Sequence, residues 1–224
     1  VTVPRIIGDP HFRETLTEAL SGRRFDLIIA TYGRIRYVAE IAGDHCERLI
    51  TVGGAPCYRG MIQPELLSPV GMPIPLHEDA EKVPDIDEFR FGYLVRISEE
   101  AVMEGHADGR YSATHFRYPT VYGPRQITPT VWALMRRFTD KRPHIVLPDG
   151  GLSLSSRGYA ENVAQAVLLA AQQPEASAGQ IYNCADDQQF TCAQWVEMIG
   201  RAMNSEIELV TVPDKFAYPA RSLM

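Results

Sequence analysis

The sequence contains no apolar run approaching the roughly 18 residues that a membrane-crossing helix needs. Its opening, Val1-Thr2-Val3-Pro4-Arg5, has no apolar core of a secretory leader. Both absences point away from a membrane and toward a soluble protein of the cytoplasm. Cysteine is scarce: Cys46, Cys57, Cys184 and Cys192 are far apart, with no Cys-x-x-Cys pair. That spacing implies neither a disulfide framework nor a zinc site, so the four are expected as reduced, mostly buried thiols. Positive charge is in deficit, 22 Lys and Arg against 28 Asp and Glu for a net charge of -6, which disfavours the basic footprint of a nucleic-acid binder. His11, His45, His77, His106, His115 and His144 show no metal-ligand spacing, so no metal is expected and each is read as a surface residue. Repeats and low-complexity tracts are also lacking. What remains is small-molecule chemistry on a globular fold, and 224 residues with 45% hydrophobic content suffice for a substantial core.

Short apolar segments alternate with helical periodicity. Val3 to Ile7 reads as a strand, and His11 to Leu20 as a helix with Phe12, Leu16, Ala19 and Leu20 in phase. Phe25 to Ala30 is the apolar run of a buried parallel strand, Ile35 to Ala42 a helix, and Arg48 to Val52 a strand ended by Gly53-Gly54. This alternation predicts an α/β fold, a parallel sheet of right-handed βαβ units. Gly60 to Asp87, carrying Pro64, Pro69, Pro73, Pro75 and Pro84, reads as a long ordered loop or lid. A helix follows over Phe91 to Gly105, with Glu99, Glu100 and Glu104 as a charged face, and then a strand over Ser112 to Tyr118. Thr130 to Asp140 predicts a helix with Trp132, Leu134, Met135 and Phe138 toward the core. Asn162 to Ala171 predicts another, with Asn162 as its N-cap. Gln180 to Cys184 is a strand, and Thr191 to Met203 a helix whose Thr191 and Gln194 have capping spacing.

The run Arg117-Tyr118-Pro119-Thr120-Val121-Tyr122-Gly123-Pro124-Arg125-Gln126 leaves a strand and turns on two prolines and a glycine. Such a turn places side chains at a strand's carboxyl end, where open α/β sheets bind ligands. It resembles the Arg-x-x-Asn-Val-Tyr-Gly-Pro segment of the extended short-chain dehydrogenases/reductases, the NAD-dependent epimerase/dehydratase family, with Thr120 where that family usually has Asn. Gly8-Asp9, Asp26 to Gly33, Ile50 to Tyr58, Ser156 to Ala164 and Gln180 to Asn183 with Thr191 to Met203 resemble further family segments, in the same order. The resemblance implies a Rossmann-like doubly wound parallel sheet with a small C-terminal substrate-binding lobe. Residues 1–125 would be a partial dinucleotide-binding domain, and 126–224 a mixed region with the lobe and returning elements. It implies NAD or NADP as cofactor, met by Asp9, Pro10, Thr31, Tyr32, Gly33, Pro119 and Thr120. A small-molecule substrate, sugar-like or another alcohol or carbonyl, would meet Tyr58, Tyr122, Arg125, Arg157 and Tyr159. Arg117 and Arg125 suit an anionic ligand through bidentate contacts, with a solvated surface as the alternative. A homodimer across two packed helices is also implied.

Two family features are missing from the sequence. The Gly-x-x-Gly-x-x-Gly turn has no counterpart, and the chain reads as the core of a longer protein whose preceding strand and turn would complete the site. The family also uses a Ser or Thr, a Tyr acid/base, and a Lys four residues on that lowers the Tyr pKa. Gly54 stands at the Ser/Thr position. Tyr93 as the tyrosine puts Ile97 at the lysine position, whereas Arg96 as the cation puts Gly92 at the tyrosine position. Tyr93, Arg96 and Gly54 are therefore the catalytic candidates, and an aromatic anchor at a helix start is the alternative for Tyr93. Two functions stay open: a divergent NAD(P)-dependent epimerase/dehydratase-like oxidoreductase, or the same fold kept for ligand binding, regulation or a non-redox role.

Overall fold

The computed structural model describes residues 3–213. In chain order its elements are α1 (Arg13–Leu20), β1 (Phe25–Ala30), α2 (Ile35–Ala42), β2 (Cys46–Gly54), α3 (Arg90–Ala107), β3 (Ser112–Tyr118), β4 (Thr120–Tyr122), α4 (Thr130–Thr139), β5 (His144–Pro148), β6 (Leu154–Ser155), β7 (Arg157–Tyr159), α5 (Ala160–Gln172), α6 (Pro174–Ser177), β8 (Gln180–Asn183), β9 (Phe190–Thr191), α7 (Cys192–Ala202) and β10 (Glu208–Val212). They gather into two compact units. Of the described residues, the first takes in 3–119 and Ala164–Cys184, and the second Thr120–Val163 and 185–213.

The first unit is built on a parallel sheet in the order β1-β2-β3-β8. Successive strand side chains point to opposite faces. Leu49 and Ala113 therefore join a core with Ile35, Val38 and Ala42 of α2 and Val102 of α3, while Ile50 and Phe116 pack with Val167 and Ala170 of α5. Helices on both faces make the unit a Rossmann-like α/β layer, and burial on both sides explains why its strands read as continuous apolar runs.

The second unit has its own core, in which Leu134 and Phe138 of α4 meet Ile145 and Leu147 of β5 and Val196 of α7. Its strands form three two-stranded ladders: β4 with β7, β5 with β10, and β6 with β9. Residues 144–148 and 208–212, to which the sequence reading assigns no element, pair in parallel along their whole length.

Four local expectations need correction. Val3 to Ile7 is not a strand. It has no ladder partner among the described residues, and an apolar segment without one stays irregular; Val3, Ile6 and Ile7 are exposed. Asn162 lies inside α5, which begins two residues earlier, and its amide donates to Asp186 Oδ1 at 3.3 Å. Trp132 is 55% exposed, because the packed stripe of α4 passes through Leu134 and Phe138. His115 is 1% exposed, since β3 is an interior strand and places it between β2 and α3. The capping box at α7 forms as expected: the Gln194 N–H donates to Thr191 Oγ1 at 3.2 Å, and the Thr191 N–H donates to Gln194 Oε1 at 2.9 Å.

Candidate active site

Parallel strands end on one edge of a sheet, so the carboxyl ends of β1, β2, β3 and β8 share a rim. Beyond β1, Gly33 adopts φ 90°, and a side chain there would collide with Pro10. The Pro10 carbonyl accepts the Arg34 N–H at 3.1 Å, and the His11 ring meets Tyr32 edge-on at 5.1 Å. Asp9, Pro10, Tyr32 and Gly33 thus come together at a corner that begins at Thr31. The Asp9 carboxylate accepts from the His11 backbone N–H and ring, each at 2.9 Å, which holds it below its ordinary pKa.

At the end of β2, Gly53 lies in register with Arg117 and Gly54 with Tyr118. A Cβ on Gly53 would stand 2.6 Å from His115 Nε2, so the imidazole fills the volume that a larger residue there would need. Gly54 is less confined: its Cβ would meet Pro56 Cδ at 3.1 Å.

Behind this rim lies a buried ionic network. Arg117 donates to Glu99 from Nε at 2.6 Å and from Nη2 at 2.8 Å. Its Nη1 donates to the Glu78 carbonyl at 2.6 Å and to the Tyr58 hydroxyl. Lys82 Nζ donates to Glu99 at 3.0 Å. Tyr58 in turn donates to Asn183 Oδ1 at 2.7 Å, while Asn183 N–H donates to Glu78 Oε1 at 2.8 Å. Burial alone would raise the Glu99 carboxyl, but the bonds and charge of Arg117, with His115 and Lys82, outweigh it and hold the acid below its ordinary value. Burial lowers the His115 imidazole to about 4, with Nδ1 2.6 Å from Thr51 Oγ1 and Nε2 without a hydrogen-bond partner.

Several sequence expectations change here. Glu99 is no part of a solvated face, and Arg117, suited by its sequence position to an anionic ligand, is spent on an internal carboxylate. Tyr58, expected in the wall of a substrate cleft, is 2% exposed with its hydroxyl engaged on both sides, and burial raises its phenol.

On α3, a Tyr-x-x-x-Lys register through Gly92 and Arg96 has no room for a phenol, because a Cβ on Gly92 would collide with the Pro56 carbonyl oxygen. Arg96 pairs with Glu100 at 3.4 Å and lies over the Tyr93 ring, 5.1 Å from its centroid. Phe91, Val95 and Glu99 recur at every fourth position and share one stripe. Glu99 reaches Arg117, and a Val95 methyl lies 3.8 Å from the site of a Gly53 Cβ, so an isopropyl group is turned toward the end of β2, while Phe91, one turn earlier, is 58% exposed.

The second unit gathers a different group. Thr120 pairs with Arg157 and Tyr122 with Tyr159 in the β4–β7 register. The Tyr122 ring is 5.5 Å from Tyr159 and 5.1 Å from Trp195, and the Arg157 guanidinium lies over Trp195 at 4.4 Å. Arg157 Nη1 donates to the Ser155 carbonyl at 3.0 Å, and burial draws the guanidinium below its ordinary pKa. Asp186 Oδ1 accepts the Tyr159 N–H at 3.1 Å. Arg125 and Thr120 are exposed, Arg125 with φ 66°. Trp195 was not singled out from sequence, because an aromatic on an amphipathic helix reads as core. Among the described residues no group of three or more His, Cys, Asp or Glu could hold a metal ion, and no helix is long and apolar enough to cross a membrane.

A sequence model of the NAD dependent epimerase/dehydratase family matches residues 66–185, more than half of the chain. A Sinorhizobium fredii protein, uncharacterized protein y4nL, is 29% identical over 154 residues, 68% of this chain; the chain spans only 42% of that relative's length. Among solved structures, dTDP-glucose 4,6-dehydratase of Bacillus anthracis, in complex with NAD, superposes with a TM-score of 0.71 at 15% identity, over 92% of this chain and 67% of that one. UDP-glucuronic acid 4-epimerase of Bacillus cereus, in complex with UDP-glucuronic acid and NAD, gives 0.65 at 15% identity over 80% and 53%. A short-chain dehydrogenase/reductase superfamily protein of Agrobacterium tumefaciens with bound NAD gives 0.67 at 14% identity over 93% and 73%. At such identities the likeness is one of fold.

Proposed function

The chain belongs to the NAD dependent epimerase/dehydratase family, and from that premise we propose that it forms the core of an NAD(P)-dependent oxidoreductase acting on a sugar-like or other alcohol or carbonyl compound. One observation carries the reading: the corner of Asp9, Pro10, Tyr32 and Gly33 stands at the end of β1, on the same rim where β2 ends in Gly54. The exposed Asp9 carboxylate and the Gly33 turn suit the adenosine end of a dinucleotide, with Thr31, Pro119 and Thr120 as further contacts. When bound, the nicotinamide supplies or accepts hydride. Tyr93 exchanges the proton of the substrate oxygen, beside the positive charge of Arg96. Gly54 leaves that oxygen without the hydroxyl partner usual in the family. Taken by themselves, Tyr122, Tyr159, Arg157 and Arg125 of the second unit suit a polar, sugar-like ligand, the guanidiniums taking any anionic group.

A second reading is favoured by the stripe of α3. Val95 turns an isopropyl group, not a cation, toward the end of β2, and Glu99 on the same stripe is engaged by Arg117, which suits a fold that binds a dinucleotide without hydride transfer. Calorimetric titration of the full-length protein with NAD and NADP tests what the two readings share, and absence of heat and of a thermal shift from both would end them. Tyr93→Phe separates them. The first expects turnover to fall by roughly 10²- to 10⁴-fold, the usual range for a positioned proton donor. Undiminished turnover removes Tyr93 from the mechanism, and dinucleotide binding with no turnover on any alcohol or carbonyl substrate favours the second.

A further inference from the structure

Tyr37, in the first turn of α2, is the meeting point of three guanidiniums. Arg13 of α1 lies over its ring at 5.3 Å from the centroid, Arg34 at 5.6 Å and Arg36 at 4.8 Å. Arg34 Nη1 also donates to the phenolic hydroxyl at 3.2 Å, in an exposed setting. That bond, with a second pull from Arg36 on the same oxygen, draws the phenol below its ordinary pKa. Carboxylates do not account for the cluster. Glu40 is taken by Arg13 and Asp9 by His11, while Arg34 and Arg36 have no ion-pair partner among the described residues. In a chain of net charge -6, two cations are left converging on one neutral oxygen.

A guanidinium over an aromatic face is explained by the charge distribution of the ring. The turn of Arg34 and Arg36 toward the hydroxyl is not, because guanidinium donors are satisfied best by a charged oxygen. A phosphoryl group on that oxygen would bring a charge of about -2 and three acceptors to the place where the donors already point. We infer that Tyr37 is a phosphorylation site, its phosphate held by Arg34 and Arg36 with Arg13 beside them on α1. In the transfer the phenolic oxygen attacks the terminal phosphorus of a nucleoside triphosphate carried by a tyrosine kinase. The new O–P bond forms as the bond to the nucleoside diphosphate breaks, and the phenolic proton passes to the kinase's base. The N-cap of α2 makes no side-chain hydrogen bond, so the turn that carries Tyr37 is the part of this helix most readily loosened for an enzyme. The site follows Gly33 in the chain and depends on no ligand at that corner.

Mass spectrometry of the full-length protein purified from its own cells tests the modification. A fraction heavier by one phosphoryl group, mapped to Tyr37 and absent from Tyr37→Phe, is expected. Phosphotyrosine placed at position 37 by an expanded genetic code tests the capture, read by phosphorus NMR titration at low ionic strength, where exposed charges are least screened. Its second phosphate pKa should fall from about 6 to about 5, as an acid beside an arginine does, and return to about 6 with Arg34→Ala and Arg36→Ala. Neither arginine belongs to the core, so the melting temperature of the unphosphorylated double variant should hold. Should that variant unfold, the value in the wild-type background decides alone. A second pKa that stays near 6 in that background would overturn the inference, as would one equally low in a folded double variant. Protein from the cells that carries phosphate elsewhere only, or none, would also overturn it.

Discussion

Arg117 on β3 and Glu99 on α3 close a two-pronged ion pair, Nε to Oε2 at 2.6 Å and Nη2 to Oε1 at 2.8 Å, with both side chains 1% exposed. A fork-to-fork pair of this kind fixes the rotation of α3 against the sheet, and with it the side of Val95 turned toward the end of β2. Removing one partner leaves a desolvated charge. We expect Glu99→Gln to lower unfolding free energy by about 3–5 kcal/mol in urea titrations. The double variant Glu99→Leu, Arg117→Met should lose less than either single change, because no charge is left stranded. A single-variant loss under about 1 kcal/mol would mean that water or Lys82 already compensates the pair.

Acid should destabilise the first unit in two steps. His115 has a folded pKa of about 4 against an ordinary 6.5, so its neutral form is favoured by folding. Its contribution is complete above the unfolded value and is lost as pH falls from 6.5 toward 4, because only the unfolded chain takes up the proton there. The loss across that window is about 3 kcal/mol. Glu99, with its folded pKa depressed below 4.5, adds a second loss as pH falls through that lower value. Stability measured by denaturant titration between pH 7 and 4 should fall in wild type and stay flatter in His115→Gln. Parallel slopes for the two proteins would remove His115 as the titrating group.

The sheet was legible in the sequence because burial on both faces leaves uninterrupted apolar runs at Phe25–Ala30 and Arg48–Val52, and these need no knowledge of their partners. The capping box at Thr191 was legible because it is local. The ionic network was not. Glu99 belongs to a run of acids at helical spacing, and Arg117 to a strand exit; only the register of β3 against β2 and the position of α3 bring them together. His115 read as a surface residue for the same reason. Trp132 shows the converse: apolar spacing predicts core, while the second unit packs Leu134 and Phe138 and leaves Trp132 55% exposed.

Thr191 joins the short β9 to α7, and its hydroxyl and the Gln194 amide satisfy each other's backbone N–H groups. Thr191→Ala frees one of these donors at the start of α7, whose Val196 is part of the second core. A loss of about 1 kcal/mol is expected. Hydrogen exchange should quicken in the first turn of α7 and leave β2 and β3 unchanged. Uniform acceleration across both units would show that they unfold together rather than separately.

The paired glycines at the end of β2 should respond differently to the same change. On Gly53 a Cβ would come 2.6 Å from the His115 imidazole, which is held by Thr51 and packed between strand and helix, so Gly53→Ser must displace a buried ring. On Gly54 the nearest atom is Pro56 Cδ at 3.1 Å, and a shift of a few tenths of an ångström admits the side chain. Gly53→Ser is therefore expected to cost about 1–3 kcal/mol as an overpacked site, partly recovered by His115→Ala, whereas Gly54→Ser should stay within about 1 kcal/mol of wild type. Gly54→Ser also places a hydroxyl at the rim position proposed to face the substrate oxygen. If Tyr93 works as an acid/base, this variant should raise turnover on an alcohol or carbonyl substrate. An unchanged rate in a stably folded Gly54→Ser protein would argue that no reacting oxygen comes to that position.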